Sequence, residues 1–125
     1  LVIETWTAKT AAMNAAEDDV REMERLCKEV EDLVMQGKNH EGPDIGLHVC
    51  IAKSTGNSVV PLLVPILMNA IPLFTKFTNG SLVMPSIKQH KEIVDAIKCH
   101  DPVRAVRTMA DHIVLNRDAI KDVDF

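Results

Sequence analysis

The feature that most restricts the fold is the spacing of apolar residues between positions 17 and 37. Apolar side chains recur there every three or four residues with charged residues between them, which is typical of a helix that buries one face. The stripe consists of Val20, Met23, Leu26, Cys27, Val30, Leu33 and Val34. Because acidic residues precede it and a glycine follows it, the helix is expected to begin at Glu17 and to end near Gly37.

Most of the remaining chain has the same helical periodicity, and strand-like alternation and internal repeats do not occur in it. Aromatic residues make up only 3% of the chain, and Ala, Val, Ile, Leu and Met dominate, which favours packed helices. Further helices are predicted over residues 1–16, 43–53, 58–78, 86–100 and 102–120. Because the connections are short, the sequence predicts an all-α fold, an antiparallel bundle of about six helices in one domain over residues 1–125.

Residues 58–78 are the most apolar part of the chain, and they are long enough to suggest a membrane span. Pro61, Pro65, Pro72 and Asn69 argue against that interpretation. We expect instead a buried helix, kinked by proline, with a dimer partner as one of its neighbours.

Charge and cysteine usage exclude several classes of function. The formal net charge is −4 and no run of Lys and Arg forms a basic stripe, so these residues are not expected to bind nucleic acid or an anionic membrane by themselves. The three cysteines are scattered, as expected for reduced thiols in a cytoplasmic protein. No signal peptide is seen at the start, and because the chain opens at Leu1 without Met, we expect it to be a piece of a longer protein.

Two polar residues stand on the apolar third helix. Asp44 and His48 are four residues apart, so they lie on the same helical face, and their neighbours Ile45, Leu47 and Ile51 are apolar. We therefore expect both side chains to point into the core.

Two more histidines occupy apolar helix faces, His90 in the fifth helix and His112 in the sixth. The short turn at residues 99–101 predicts a hairpin, and both histidines lie about ten residues from it, which brings them to the same level. Together with Asp44 and His48 they form a candidate metal site. Three imidazoles and one carboxylate suit zinc or nickel best, and manganese, cobalt or copper are alternatives.

Structural interpretations of the same residues remain open at this point. A single inward histidine is usually a hydrogen-bonded core residue, and Asp44 is also favourable as a first-turn acid. His100-Asp101 matches the signature dipeptide of helical metal phosphohydrolases, but Pro102 follows at once and favours Asp101 as a helix cap. His40 and His100 are expected to be exposed.

Three segments resemble the FCD domain, the C-terminal effector-binding domain of FadR-subfamily GntR transcription regulators. They are DIGLHVCIAKSTGN, QHKEIVDAIKCHDPVRAVRTMADHI and IETWTAKTAAMNA. The resemblance implies a helical bundle with a central metal and ligand pocket, and its metal ligands correspond to Asp44, His48, His90 and His112. One departure is Gln89, which stands where Glu commonly precedes the first hairpin histidine.

The resemblance also implies a function. A small carboxylate effector would bind at or beside the metal, and a homodimer would pass the signal to an N-terminal winged-helix domain outside these residues. From their positions in the sequence, Ser54, Asn57 and Arg107 are candidate effector contacts. Operator DNA would be bound only through that domain. Two alternatives remain: a helical metalloenzyme that uses the same site for hydrolysis, and a dimerisation module in which the metal only staples the bundle.

Overall fold

Helices make up most of the chain that the structure describes. The computed structural model describes residues 2–68 and 81–121, and neither range contains a strand. The helices in these ranges are α1 (Val2–Asn14), α2 (Glu17–Met35), α3 (Glu41–Lys53), α4 (Val60–Leu67), α5 (Val83–Lys98) and α6 (Pro102–Lys121). The prediction of an all-α bundle is confirmed.

The first helix packs through small side chains. Ala8, Ala11 and Ala12 are fully buried on α1, which lies mainly along α6. Because interaxial distances depend on the side chains at the contact, these alanines allow a close approach of the two helices.

The second helix has the bounds and the buried face that its spacing predicts. The first five residues of the apolar stripe, from Val20 to Val30, are buried. At its start, the Asp19 carboxylate accepts the Ala16 N–H at 2.9 Å. At its end, Gly37 takes the left-handed conformation (φ +67°), and the Lys38 N–H donates to the Leu33 carbonyl at 2.9 Å.

The third helix connects two parts of the core. It begins at Glu41, two residues earlier than predicted, because Asn39 Oδ1 accepts the Glu41 N–H at 2.8 Å; Pro43 is therefore its third residue and not its first. Leu47 and Ile51 face the main core, to which α1, α2, α5 and α6 also contribute. The face that carries Ala52 packs on α4. Side chains on α3 are therefore held from two sides.

The last two helices pack together as the predicted hairpin. The start of α5 differs from the prediction: the helix begins at Val83, and the Ser86 N–H already donates to the Leu82 carbonyl at 2.9 Å, so Ser86 is not the cap. The start of α6 agrees with it. Asp101 Oδ1 accepts the Arg104 N–H at 3.1 Å, and Pro102 is the first helical residue.

The fourth helix is mostly exposed in the single chain. Leu62 is 72% exposed and Ile66 is 66% exposed, and Val64 is the buried residue of α4, so burial of this helix against a dimer partner stays a prediction. The rest of the predicted segment, residues 69–78, lies outside the described residues. Within residues 2–68 and 81–121, no helix combines the length and the apolar character needed to cross a lipid bilayer.

Candidate metal centre

Three buried histidines meet at the junction of α3, α5 and α6. The ring centroids of His90 and His112 lie 4.7 Å apart, those of His48 and His90 lie 5.2 Å apart, and those of His48 and His112 lie 5.8 Å apart. One ring nitrogen from each histidine lies within 4.8 Å of the other two. The structure thus brings together the three imidazoles that the sequence predicts to converge, in an arrangement that can hold a metal ion.

Asp44 lies beside two of these imidazoles. Its Oδ1 atom is 3.8 Å from His48 Nε2 and 3.7 Å from His90 Nε2. These distances are too long for hydrogen bonds, and Asp44 Oδ1 is a buried atom without a hydrogen-bond partner. A buried carboxylate oxygen in this position costs free energy unless a cation or a proton neutralises it.

Burial changes the proton affinity of all four groups. It lowers the pKa of His48 to about 3 and that of His112 to about 4, and it lowers the pKa of His90 well below its ordinary value. For the carboxyl of Asp44, burial raises the pKa to about 7. The cluster therefore holds neutral imidazoles near pH 7, which is the form of histidine that binds metals.

The spacing of the donor atoms fits a metal ion. His48 Nε2 and His90 Nε2 are 3.3 Å apart. Two nitrogens that bind one zinc at about 2.0–2.1 Å with tetrahedral angles lie about 3.3 Å from each other. The third nitrogen of the group adds another donor, and the unpaired Asp44 oxygen lies outside this group of three, 3.8 and 3.7 Å from the Nε2 atoms of His48 and His90. These residues are consistent with a site for a divalent transition metal.

A hydrogen bond to a neighbouring side chain orients His112. Its Nδ1 atom is 2.8 Å from Gln89 Oε1. Because an amide oxygen only accepts hydrogen bonds, Nδ1 carries the proton and Nε2 keeps its lone pair free for the cluster. Gln89 directly precedes His90 in the sequence, and the hairpin places it opposite His112. The sequence analysis noted Gln89 only as a departure from a pattern.

The expectation that His40 is exposed is wrong. Its side chain is 14% exposed, its Nδ1 atom is buried, and that atom lies 3.9 Å from Asp44 Oδ2. His100 is exposed as expected, and its Nδ1 atom lies 2.9 Å from the Ala12 carbonyl. The signal that sequence reasoning overlooked was that His40 precedes Asp44 by the same four residues that separate Asp44 from His48.

Two of the three candidate effector contacts make local hydrogen bonds, and the third is exposed. Ser54 Oγ donates to the Ile51 carbonyl at 2.7 Å, and Asn57 Oδ1 accepts the N–H groups of Val59 and Val60 at 2.8 and 3.1 Å. Arg107 is exposed on α6. Their role in effector binding stays a prediction.

His100 and Asp101 do not form a phosphohydrolase-like pair. The helix ends before them, His100 has a positive φ of 52°, and Asp101 caps α6 with its carboxylate. The Asp101 side chain therefore caps α6, and the His100 side chain contacts the Ala12 carbonyl of α1.

Comparison with known proteins identifies the family. The FCD domain model matches residues 1–115, which is most of the chain. The chain belongs to the FCD domain family. The match confirms the resemblance seen in the sequence, and an FCD domain is a regulatory kind of domain.

A solved structure supports the same assignment. A Streptococcus agalactiae GntR protein superimposes with a TM-score of 0.81 at 28% sequence identity, covering 94% of this chain and 54% of the other. This FCD domain thus spans about half the length of that relative. The search of curated proteins gave no match.

The shifted pKa values predict how the stability of the metal-free chain depends on pH. Each cluster histidine takes up a proton near pH 6.5 when unfolded but only well below that when folded, so the free energy of unfolding falls as the pH drops from 6.5 towards 4. Asp44 acts in the opposite sense between pH 7 and 4, because its carboxyl is protonated first in the folded chain. Three histidines outweigh one carboxyl, and each proton contributes about 1.4 kcal/mol per pH unit at most.

Urea denaturation in the presence of a chelator, at pH 7.5, 6 and 5, measures this dependence. His90→Gln should reduce the slope of the unfolding free energy against pH by an amount that corresponds to about one fewer proton taken up on unfolding. A free energy of unfolding that stays constant or rises as the pH falls would contradict the burial of neutral histidines.

Proposed function

We propose that this FCD domain is the sensing domain of a GntR-type transcription regulator, and that it binds a small carboxylate effector with the help of a divalent metal ion. One observation carries the proposal: neutral imidazoles from three helices meet a buried carboxylate oxygen that has no partner. A metal ion satisfies all of these groups at once.

In this proposal Asp44, His48, His90 and His112 hold the ion. The donor set of three nitrogens and one oxygen favours zinc or nickel, and manganese, cobalt or copper are alternatives. Gln89 supports the site by fixing the ring of His112, as outer-shell partners of metal-binding histidines commonly do.

Charge indicates the class of effector. Three neutral imidazoles and one carboxylate leave one positive charge of a divalent ion uncompensated inside an apolar core. A bound ion of this kind supplies a Lewis-acidic charge that attracts an anionic oxygen. A small carboxylate, such as a hydroxy acid, a sugar acid or an amino acid, meets that requirement.

The position of the site allows binding to be coupled to helix packing. Its ligands come from α3, α5 and α6, and α3 also packs on α4. An effector shifts the regulator between two states only if it binds one of them more tightly, and small movements of these helices would change the fit of the four ligands.

The partners in this proposal are a second copy of the chain and, through another domain, operator DNA. The exposed apolar residues of α4, among them Leu62 and Ile66, support a homodimer. With a net charge of −4, the FCD domain is not itself the DNA-binding part, and we assign that role to a winged-helix domain outside residues 1–125, in a cytoplasmic regulator.

Removal of single ligands tests the metal site. We expect about one equivalent of zinc or nickel in the loaded chain, and in His90→Ala or His112→Ala a loss of affinity larger than the roughly 10–100-fold that loss of an outer-shell partner causes. His100→Asn is the matched control, because it removes an exposed imidazole at a turn position that asparagine tolerates. Elemental analysis after dialysis measures the content; equal metal in all four proteins would refute the assignment.

Thermal shift tests the effector class. In the zinc-loaded chain, a small carboxylate at about 100 times its Kd should raise the Tm by about 5 °C or more. The same compound should have no effect on the chelator-treated chain or on His112→Ala. Equal shifts with and without metal would show that the effector does not use the ion, and no shift across a broad panel would favour a metal that only staples the bundle.

A further inference from the structure

His40 stands directly before α3, one helical turn from Asp44. Its backbone carbonyl accepts the Asp44 N–H at 3.1 Å. Its side chain folds back over the same turn, so that His40 Nδ1 lies 3.9 Å from Asp44 Oδ2. Because Nδ1 is buried and has no hydrogen-bond partner, the ring is held against the carboxylate without yet making a bond to it.

The two oxygens of Asp44 face different groups. Oδ1 lies 3.7 to 3.8 Å from the Nε2 atoms of His48 and His90, whereas Oδ2 is the atom near His40. One oxygen is therefore placed for the ion and the other for an outer-shell donor. Carboxylates that bind metals are commonly hydrogen-bonded through their second oxygen in this way.

We propose that His40 is a positioning residue of the metal centre: its Nδ1–H donates to Asp44 Oδ2 and fixes the carboxylate so that Oδ1 can bind the ion. This inference rests on the proposed metal site and adds to it a residue outside the four ligands. The present distance is about 1 Å longer than a hydrogen bond requires. A small rotation of either side chain closes it.

A direct metal ligand is the other role open to an imidazole, and the geometry disfavours it. The three histidines of the cluster have ring nitrogens within 4.8 Å of one another, whereas the nearby acidic contact of His40 is made by Nδ1 with Asp44 Oδ2 at 3.9 Å. The buried nitrogen of His40 faces Oδ2, on the opposite side of the carboxylate from the oxygen that meets His48 and His90. The ring is thus placed to act through Asp44.

Zinc affinity in four proteins tests the proposal: the wild-type chain, His40→Ala, His40→Asn and the control His100→Asn. Competition with a chromophoric chelator measures the Kd. We expect His40→Ala to weaken zinc binding by about 10-fold or more with the stoichiometry unchanged. His40→Asn should recover most of the affinity, because its amide can place an N–H near the position of Nδ1.

Two further measurements separate positioning from a purely structural role. In the metal-free chain the hydrogen bond has not formed, so urea denaturation should give nearly the same free energy of unfolding for wild type and His40→Ala. In the Asp44→Ala background, His40→Ala should have no additional effect on zinc affinity, because the group through which it acts is gone.

Each result supports or overturns the role of His40. A Kd unchanged in His40→Ala, or His40→Asn as weak as His40→Ala, overturns it. So does a cobalt-loaded His40→Ala whose absorption spectrum shows the loss of one nitrogen ligand, because His40 would then bind the ion directly. A wild-type chain that takes up no metal overturns the proposed function itself, and the inference with it.

Discussion

The cost of burying Asp44 among imidazoles is the constraint on which the site depends. A carboxylate excluded from water, with one oxygen unpaired and its pKa raised to about 7, is held in an unfavourable state by the surrounding fold. The imidazoles beside it are kept neutral by the same burial. While all of these groups are unprotonated and no metal is bound, the neutral imidazoles do not offset the free-energy cost of burying the carboxylate. In the proposed site a divalent ion would reverse this balance, because it would bind the ionised carboxylate and the neutral imidazoles together.

The rest of the bundle holds these groups in place. Alanines on α1 allow a close approach to α6, which carries His112, and the hairpin sets the level of His90 against it. α3 is packed between the main core and α4, so Asp44 and His48 have little freedom to turn towards water. Gln89 and His40 lie next to His112 and Asp44, outside the four proposed ligands. Outer-shell contacts of this kind fix the orientation of ligands that packing alone leaves free to rotate.

Much of this arrangement could be predicted from the sequence, because it depends on local rules. The three- and four-residue spacing located α2, Asp101-Pro102 located the start of α6, and equal distances from the turn placed His90 opposite His112. The convergence with His48 on a third helix could be predicted because all three histidines lie on otherwise apolar helix faces. The helix starts were less accurate: Asn39 and Leu82 supply the first contacts of α3 and α5, and nothing in the apolar pattern reveals this.

Features that depend on tertiary contacts were missed. The sequence could not reveal that His40 folds back against Asp44, since a histidine in a polar connection is normally solvated. It also could not reveal the exposure of α4. An apolar segment is expected to be buried, but its sequence does not show which surface it packs against. The role of Gln89 required knowing which residue of the hairpin faces His112.

Anomalous diffraction from crystals of the zinc- or nickel-loaded chain would test the central claim most directly. The expected result is one strong peak at the metal's absorption edge, within bonding distance of Asp44 Oδ1 and of one ring nitrogen each from His48, His90 and His112. A peak elsewhere, or density for a water molecule between imidazoles in a crystal soaked with excess metal, would contradict the metal-dependent site and leave the histidines as packing residues.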